Sequence, residues 1–285
     1  YIRLYEKEFV RLDYQREKAS DWEFNAGFEW ANRTHLRSRT TQTWFPKETR
    51  DYGDNTPLAE EALLPLPARE KAAVLSLQFE IRPWQKYQKR NNWTSAIEHS
   101  SPTLGIRYRK GIEGLGESVT NFDFLETEFR HALRVGASGL LDLKLNTGMF
   151  LNKRYVGFAD FKHFPGNQIG VVTNDPVSTY RLLDYYRFST SDKYLSAFAH
   201  NQFRKLLLTQ IRPVWVAGLK ENLFVNYLAT PRAVNYVEIG YGVDNIFRFF
   251  RLEAAASFEG GKYQDFGIFL GIASNLDNLG RLFGN

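Results

Sequence analysis

Side chains able to act as acid, base or nucleophile are sparse in this chain. The five histidines, His35, His99, His131, His163 and His200, are too scattered for a paired-histidine metal motif, and there is no cysteine for thiolate ligation or nucleophilic attack. Asp160 and His163 share one segment with no nucleophile nearby in sequence, the usual setting of a structural pair. Ser196 and His200 offer a hydroxyl and an imidazole. Four residues apart on one extended strand, they lie about 13 Å from each other, against the ~3 Å that hydrogen-bonded activation needs. No glycine-rich phosphate loop occurs. The chain reads as a non-enzyme, with no catalytic residue, metal or cofactor.

Composition narrows the class further. The 37 Lys and Arg against 32 Asp and Glu leave a formal charge of +5, spread along the chain and not gathered in the basic stripe of a nucleic-acid binder. Nucleic acid is set aside as a partner. Aromatics reach 15%, with 23 Phe and 15 Tyr, yet no apolar run approaches the roughly 18 residues of a membrane helix. That excludes a helical membrane protein. The lack of cysteine suits an envelope compartment where thiols are oxidised. No signal peptide opens the sequence at Tyr1, so the chain reads as a mature product or a fragment.

The elements that must position any site are strands. Period-2 alternation, in which successive side chains point to opposite faces, recurs along most of the chain. Trp22, Phe24, Ala26, Phe28 and Trp30 oppose Glu23, Asn25, Gly27 and Glu29; Leu141, Leu143 and Leu145 oppose Asp142, Lys144 and Asn146. Val237, Ile239, Tyr241 and Val243 oppose Glu238, Gly240, Gly242 and Asp244, and Leu252, Ala254 and Ala256 oppose Arg251, Glu253 and Ser257. A soluble β-sandwich alternates too. Strands of about nine to twelve residues, and polar faces that mix Glu with Arg, fit a tilted membrane crossing better. Trp22, Trp30, Trp84 and Tyr227 sit towards strand ends, as interfacial girdles do.

Eleven strands are expected, at about 8–17, 22–33, 73–87, 102–113, 122–135, 139–150, 193–204, 215–229, 235–247, 249–259 and 264–274. Short links at Lys18–Asp21, Val135–Ser138 and Phe247–Arg248 alternate with long loops at 37–71 and 152–192, the pattern of short periplasmic turns and long extracellular loops. The fold class expected is all-β, a transmembrane antiparallel β-barrel that occupies residues 1–285 as one domain. An odd strand count means a miscount by one or further strands upstream of Tyr1, because bacterial single-chain barrels have even counts. Lumenal ladders such as Glu126, Glu128 and Arg130 fit cross-bracing of the wall better than a conducting pore.

Three segments, FADFKHFPGNQ (158–168), YRLLDYYRFSTSDKY (180–194) and YVEIGYGVDNIFRFFRLE (236–253), resemble a Bacteroidota family of outer-membrane proteins of unassigned function. Its members carry a carboxypeptidase-regulatory-like domain before the barrel. The family is distantly similar to the barrel-assembly and autotransporter-assembly factors, which have sixteen strands. The resemblance implies that this chain is the C-terminal part of a sixteen-strand barrel in the bacterial outer membrane. It further implies a lid loop whose Arg enters the lumen and meets a Phe-x-Asp-x-Gly motif. Arg181 matches that arginine best, with Arg187 second, although Leu182 stands where the pattern has Gly; Phe224, Asn226 and Leu228 match the strand motif, with Asn for Asp and Leu for Gly. Glu238 is the nearest charged lumenal partner expected, and the alternative is a loop arginine in water. The last strand continues through Asn275 to Asn285 where the pattern stops at an aromatic.

The 152–192 loop is also dense in aromatics, among them Phe158, Phe161, Phe164, Tyr180 and Phe188, and is expected to pack inside the barrel mouth. Its Asp184, Arg187 and Asp192 are expected to pair among themselves at the rim. The function implied is assembly or translocation of envelope polypeptides; a passive or plugged transport barrel and a structural subunit of a larger complex stay open. The partners expected are the lipid bilayer and lipopolysaccharide, with other outer-membrane or nascent envelope proteins.

Overall fold

Each polar residue of the alternating segments has an apolar neighbour on either side, so a strand that forms must present one face of each kind. In the computed structural model, which describes residues 5–18, 21–35, 69–90, 93–97, 99–136, 139–167, 170–172, 175, 177–203, 205–248 and 250–272, this patterning yields fourteen strands. They are β1 (Tyr5–Lys18), β2 (Trp22–His35), β3 (Arg69–Ile81), β4 (Tyr87–Arg90), β5 (Trp93–Ala96), β6 (Thr103–Gly111), β7 (Asn121–Val135), β8 (Gly139–Tyr155), β9 (Val171–Val172), β10 (Lys193–Phe203), β11 (Lys220–Ala229), β12 (Tyr236–Ile246), β13 (Phe250–Glu259) and β14 (Lys262–Ile272). The only α-helix among the described residues is the five-residue α1 (Arg212–Val216).

Eleven long strands form one antiparallel sheet in the order β1-β2-β3-β6-β7-β8-β10-β11-β12-β13-β14, each beside its sequence neighbour in that series. The two-residue β9 adds to the outer edge of β14 in parallel, Val171 opposite Leu270, and β4 and β5 pair as a separate hairpin. Among the described residues no pairing joins β1 to β14.

The sheet is curled. β1 and β8 stand five strand spacings apart, about 24 Å on a flat sheet. Yet Glu17 of β1, Glu23 of β2, Arg130 of β7 and Asp142 of β8 line one cavity of about 520 Å³. The described residues of the loop between β8 and β10 run along the concave face, and their side chains touch strands from β2 to β13.

Burial inverts the usual order. On β13 the polar Arg251, Glu253 and Ser257 are buried and Leu252 is exposed; on β12 Glu238 and Asp244 are buried while Ile239 is 50% exposed. Polar side chains therefore point to the concave face and apolar ones outward, as the alternation implies. The apolar core lies between the loop and the upper concave face, where Phe164, Tyr180, Leu183 and Phe188 of the loop meet Phe122, Phe124, Tyr194, Phe198, Leu228 and Tyr236 of the strands. Gly240 shows how closely the concave face is filled: a Cβ there would lie 2.1 Å from Cζ of Phe224, so the ring occupies the space that the missing side chain leaves.

Several expectations shift. β3 starts at Arg69 and ends at Ile81, two residues before Pro83, whose missing N–H cannot serve a ladder. β8 runs on to Tyr155, so the long loop spans 156–192 and not 152–192. The strand expected at 215–229 begins at Lys220, because Arg212–Val216 is helical. The loop expected at 37–71 lies outside the described residues up to 68, with 69–71 in β3; the extension Asn275–Asn285 lies outside them entirely.

Replacing Gly240 by Ala is expected to lower stability by about 1–3 kcal/mol through overpacking against Phe224. The urea midpoint of the refolded protein measures it. Gly105→Ala should leave stability nearly unchanged, since the corresponding Cβ meets Glu128 and Glu80 only at ordinary contact distances of 3.5 and 3.6 Å.

Candidate functional site

The site forms where the loop crosses β11, β12 and β13. Glu238 sits on the concave face of β12, opposite Asn226 on β11 and Ser257 on β13. Its carboxylate accepts four hydrogen bonds: from the backbone N–H of Arg181 at 2.7 Å and of Leu182 at 2.8 Å, from Asn226 Nδ2 at 2.9 Å, and from the Tyr236 hydroxyl at 2.8 Å. Two loop amides are thus fixed on one strand carboxylate. A carboxylate with that many donors is well compensated despite complete burial.

The Arg181 side chain goes further along the sheet. Its Nε donates to Glu253 Oε2 of β13 at 2.7 Å, one Nη donates to the Thr179 carbonyl, and the guanidinium carbon lies 4.9 Å from the centre of the Phe224 ring. Arg181 and Glu253 are each only 1% exposed. The charges then alternate. Arg251 Nη1 is 3.6 Å from Glu253 Oε1, and Arg251 binds Asp244 with two bonds of 2.5 and 2.8 Å. Buried charges need close partners of opposite sign, and this chain supplies them in sequence from the loop to the lower wall.

The structure brings together all four residues singled out in the sequence, Arg181, Phe224, Asn226 and Glu238, with one change of roles. Glu238 holds the Arg181 backbone, and the side-chain charge is met by Glu253. Asn226 reaches Arg181 only through Glu238. Glu253 was missed because its partner is set by strand register: Glu253 lies opposite Gly242, and the absence of a side chain there leaves its carboxylate open to the loop. Its place on the polar parity of β13, two residues from Arg251, was the available signal.

Further ties hold the rest of the loop. Asp160, fully buried, takes Arg33 of β2 at 2.6 Å and Arg109 of β6 at 2.7 Å, and Lys162 binds Glu126 of β7 at 2.6 Å. Neither link is legible in the sequence, where His163 is the ionisable neighbour beside Asp160 in the same segment. The bracing expected of the ladder residues takes this form, with Glu126 on Lys162, Glu128 3.5 Å from Lys144, and Arg130 on Asp175 of the loop. Two of the three rim charges find partners on strands: Arg187 binds Glu259 of β13, and Asp192 binds Lys153 of β8. Those partners sit on strands whose ends converge on the loop, information that sequence distance does not carry. Ser196 accepts no histidine; it is bonded to the Tyr180 hydroxyl at 2.8 Å, which in turn donates to the Tyr227 carbonyl. Burial pushes the Tyr180 phenol up and keeps it protonated.

Within the loop, Lys162 and Thr190 pair through their backbones. His163 bridges the same two arms: Nε2 donates to the Phe158 carbonyl at 2.9 Å, so Nδ1 accepts from the Ser189 hydroxyl at 2.7 Å. Both bonds suit the neutral ring, and burial lowers its pKa from the ordinary 6.5 to about 4. Gly166 admits the Leu183 carbonyl at a place where a Cβ would stand 2.0 Å from that oxygen.

Two outcomes follow from this geometry. Arg181→Ala leaves Glu253 short of its closest cation and is expected to destabilise the docked loop by about 3–5 kcal/mol, whereas the more exposed Arg187→Ala should cost under about 1 kcal/mol. The rate of protease cleavage within 156–192 separates the two. Because His163 is kept neutral, the unfolded loop binds its proton first as pH falls. Its contribution is whole above pH 6.5 and is lost as pH falls towards 4. Cleavage should accelerate over that interval, with a flatter slope in His163→Gln.

A family profile described as "Family of unknown function (DUF5686) C-terminal domain" matches residues 1–243. No curated protein sequence matches the chain. Among solved structures the chain is similar to the crystal structure of BamA from Haemophilus ducreyi lacking POTRA domains 1–3, with 9% identity and a TM-score of 0.47 over 93% of this chain and 53% of that one. The chain thus spans about half the length of that structure. With residues 1–243 of 285 covered by the profile, the chain belongs to the DUF5686 family of unknown function, as its C-terminal domain.

Proposed function

We propose that this chain is the wall and lid of a β-barrel in the bacterial outer membrane, and that it acts without enzymatic chemistry in the assembly or translocation of envelope polypeptides. The observation that carries the reading is the locked loop: the described residues of the loop before β10 fill the concave face of a sheet whose outward face is apolar, and a chain of buried charges from Arg181 to Asp244 holds them there. An apolar exterior around a charged interior is the arrangement that lipid selects, because the solvent on the outside is hydrocarbon. The lipid bilayer and lipopolysaccharide are then the immediate surroundings, and no nucleic acid is involved.

The edge of the sheet supports a role with polypeptides. Leu270 of β14 donates its N–H to the Gly170 carbonyl and takes Val171–Val172 as an added strand. A strand edge that takes in a short segment by backbone pairing suits handling of extended chains irrespective of their sequence. The kinship with Bacteroidota proteins that carry an upstream carboxypeptidase-regulatory-like domain, and the sixteen-strand whole, belong to the same proposal. A second reading, a plugged transport barrel, is favoured by the depth at which the loop fills the concave face.

Two experiments test these readings. Ile239→Arg places a charge on the outward face and is expected to cost about 2–4 kcal/mol of membrane folding stability if it meets the bilayer midplane, with Ala132→Arg, which opens onto the concave-face cavity beside Asp142, costing less. Equal costs would exclude the orientation. In planar bilayers the wild type should be nearly closed and Arg181→Ala should conduct, which supports a lid. For the assembly role, vesicles containing the full chain should speed folding of a small outer-membrane protein relative to empty vesicles; equal rates combined with a conducting Arg181→Ala variant would leave the plugged barrel.

A further inference from the structure

One acidic residue faces the wrong way. On β11, Glu221 shares the outward parity of Leu223 and Val225, and lies opposite the outward-facing Val243 of β12. Leu223 and Val225 are exposed, yet Glu221 is fully buried. What buries it is the connection from β10 to β11, residues 204–219, whose described part folds back over the outer wall. The Glu221 carboxylate accepts the backbone N–H groups of Leu206, Leu207, Leu208 and Thr209 at 2.9–3.1 Å. It also takes the Thr209 hydroxyl and the hydroxyl of Tyr241, which stands on the same outward face. Four successive amides and two hydroxyls leave the charge without need of water, and they fix the fold of the connection.

We infer that residues 205–217 form an interfacial membrane anchor, held flat on the outer wall by Glu221 and seated at the headgroup boundary of an anionic phospholipid leaflet. The inference rests on the outer-membrane reading above. Leu207 is 64% exposed, Ile211 55% and Val216 70%, and Leu208 is exposed beside them. In water such a cluster on an ordered loop would be an association hazard. Here it continues the outward apolar face of β11 and β12. Residues 205–219 contain no Asp or Glu and carry the exposed Arg212, while the adjoining turn from β12 to β13 shows exposed Phe247 and Arg248. Apolar side chains interleaved with arginine, at the end of the strands away from the lid, match an acyl-chain boundary under phosphate headgroups. A connection built only to join two antiparallel strands needs two to five residues.

The full chain in vesicles of phosphatidylethanolamine and phosphatidylglycerol, with a bimane probe on single cysteines, tests this. Ile211→Cys and Leu208→Cys should be quenched at least twofold more by a spin label near the headgroup than by one at the acyl terminus. Ile239→Cys, in mid-strand, reports separately on the membrane reading. If Ile239→Cys is quenched and the two loop probes stay in water, the anchor is overturned and the barrel orientation stands; if none is quenched, both fall. Adding Glu221→Ala should lower quenching of the Ile211 probe at least twofold with no change at Ile239, and unchanged quenching would remove Glu221 as the positioning residue. Phosphatidylcholine-only vesicles should weaken quenching of the loop probes, and equal quenching there would overturn the choice of an anionic surface.

Discussion

Arg181 keeps a full positive charge where solvent does not reach, and a charge so placed persists only if opposite charge and hydrogen-bond acceptors stand close around it. Much of the structure on this side of the sheet can be understood from that need. Glu253 supplies the countercharge, and Arg251 and Asp244 continue the alternation along the wall. Glu238 meanwhile fixes the backbone from which Arg181 projects. Gly240 and Gly242 lie on the same face because Phe224 and Glu253 occupy the room beside them. The lock is therefore one assembly of three strands and one loop, and its parts have little reason to be where they are without the arginine.

The loop is held elsewhere by the same means. Asp160 gathers arginines from β2 and β6, Lys162 takes Glu126 of β7, and Arg187 takes Glu259 of β13. These links run from one side of the curled sheet to the other, so the loop braces the curl as well as covering the concave face. Its aromatic residues fill the spaces between the charges, and shielding by Phe188, Phe198 and their neighbours lowers the local dielectric and strengthens the ion pairs. Packing and electrostatics here support each other.

Glu221 answers a similar problem on the opposite face. A carboxylate among outward apolar residues would be costly in an apolar setting, and the molecule satisfies it with backbone amides and not with a cation. Glu238 uses two loop amides in the same manner. In both places an acidic strand residue organises a connecting segment by drawing its N–H groups together, which fixes the segment's path irrespective of its side chains.

Alternation in the sequence was enough to place all eleven long strands, their inward and outward faces and the long loop before β10, because those features depend on neighbours within one strand. The resemblance of short segments added Arg181, Phe224, Asn226 and Glu238. Partner choice was not legible. Glu253 beside Arg181, Asp160 beside Arg33 and Arg109, and Arg187 beside Glu259 join residues 51 to 127 positions apart, and they depend on register and curl together. The helix at Arg212–Val216 was likewise missed, although Glu221 breaks the apolar parity of its strand and thereby marked the place. Period 2 is a property of the local backbone. Which charge meets which is decided only when the curled sheet brings distant strands around one loop, where desolvation forces each buried charge to find a partner.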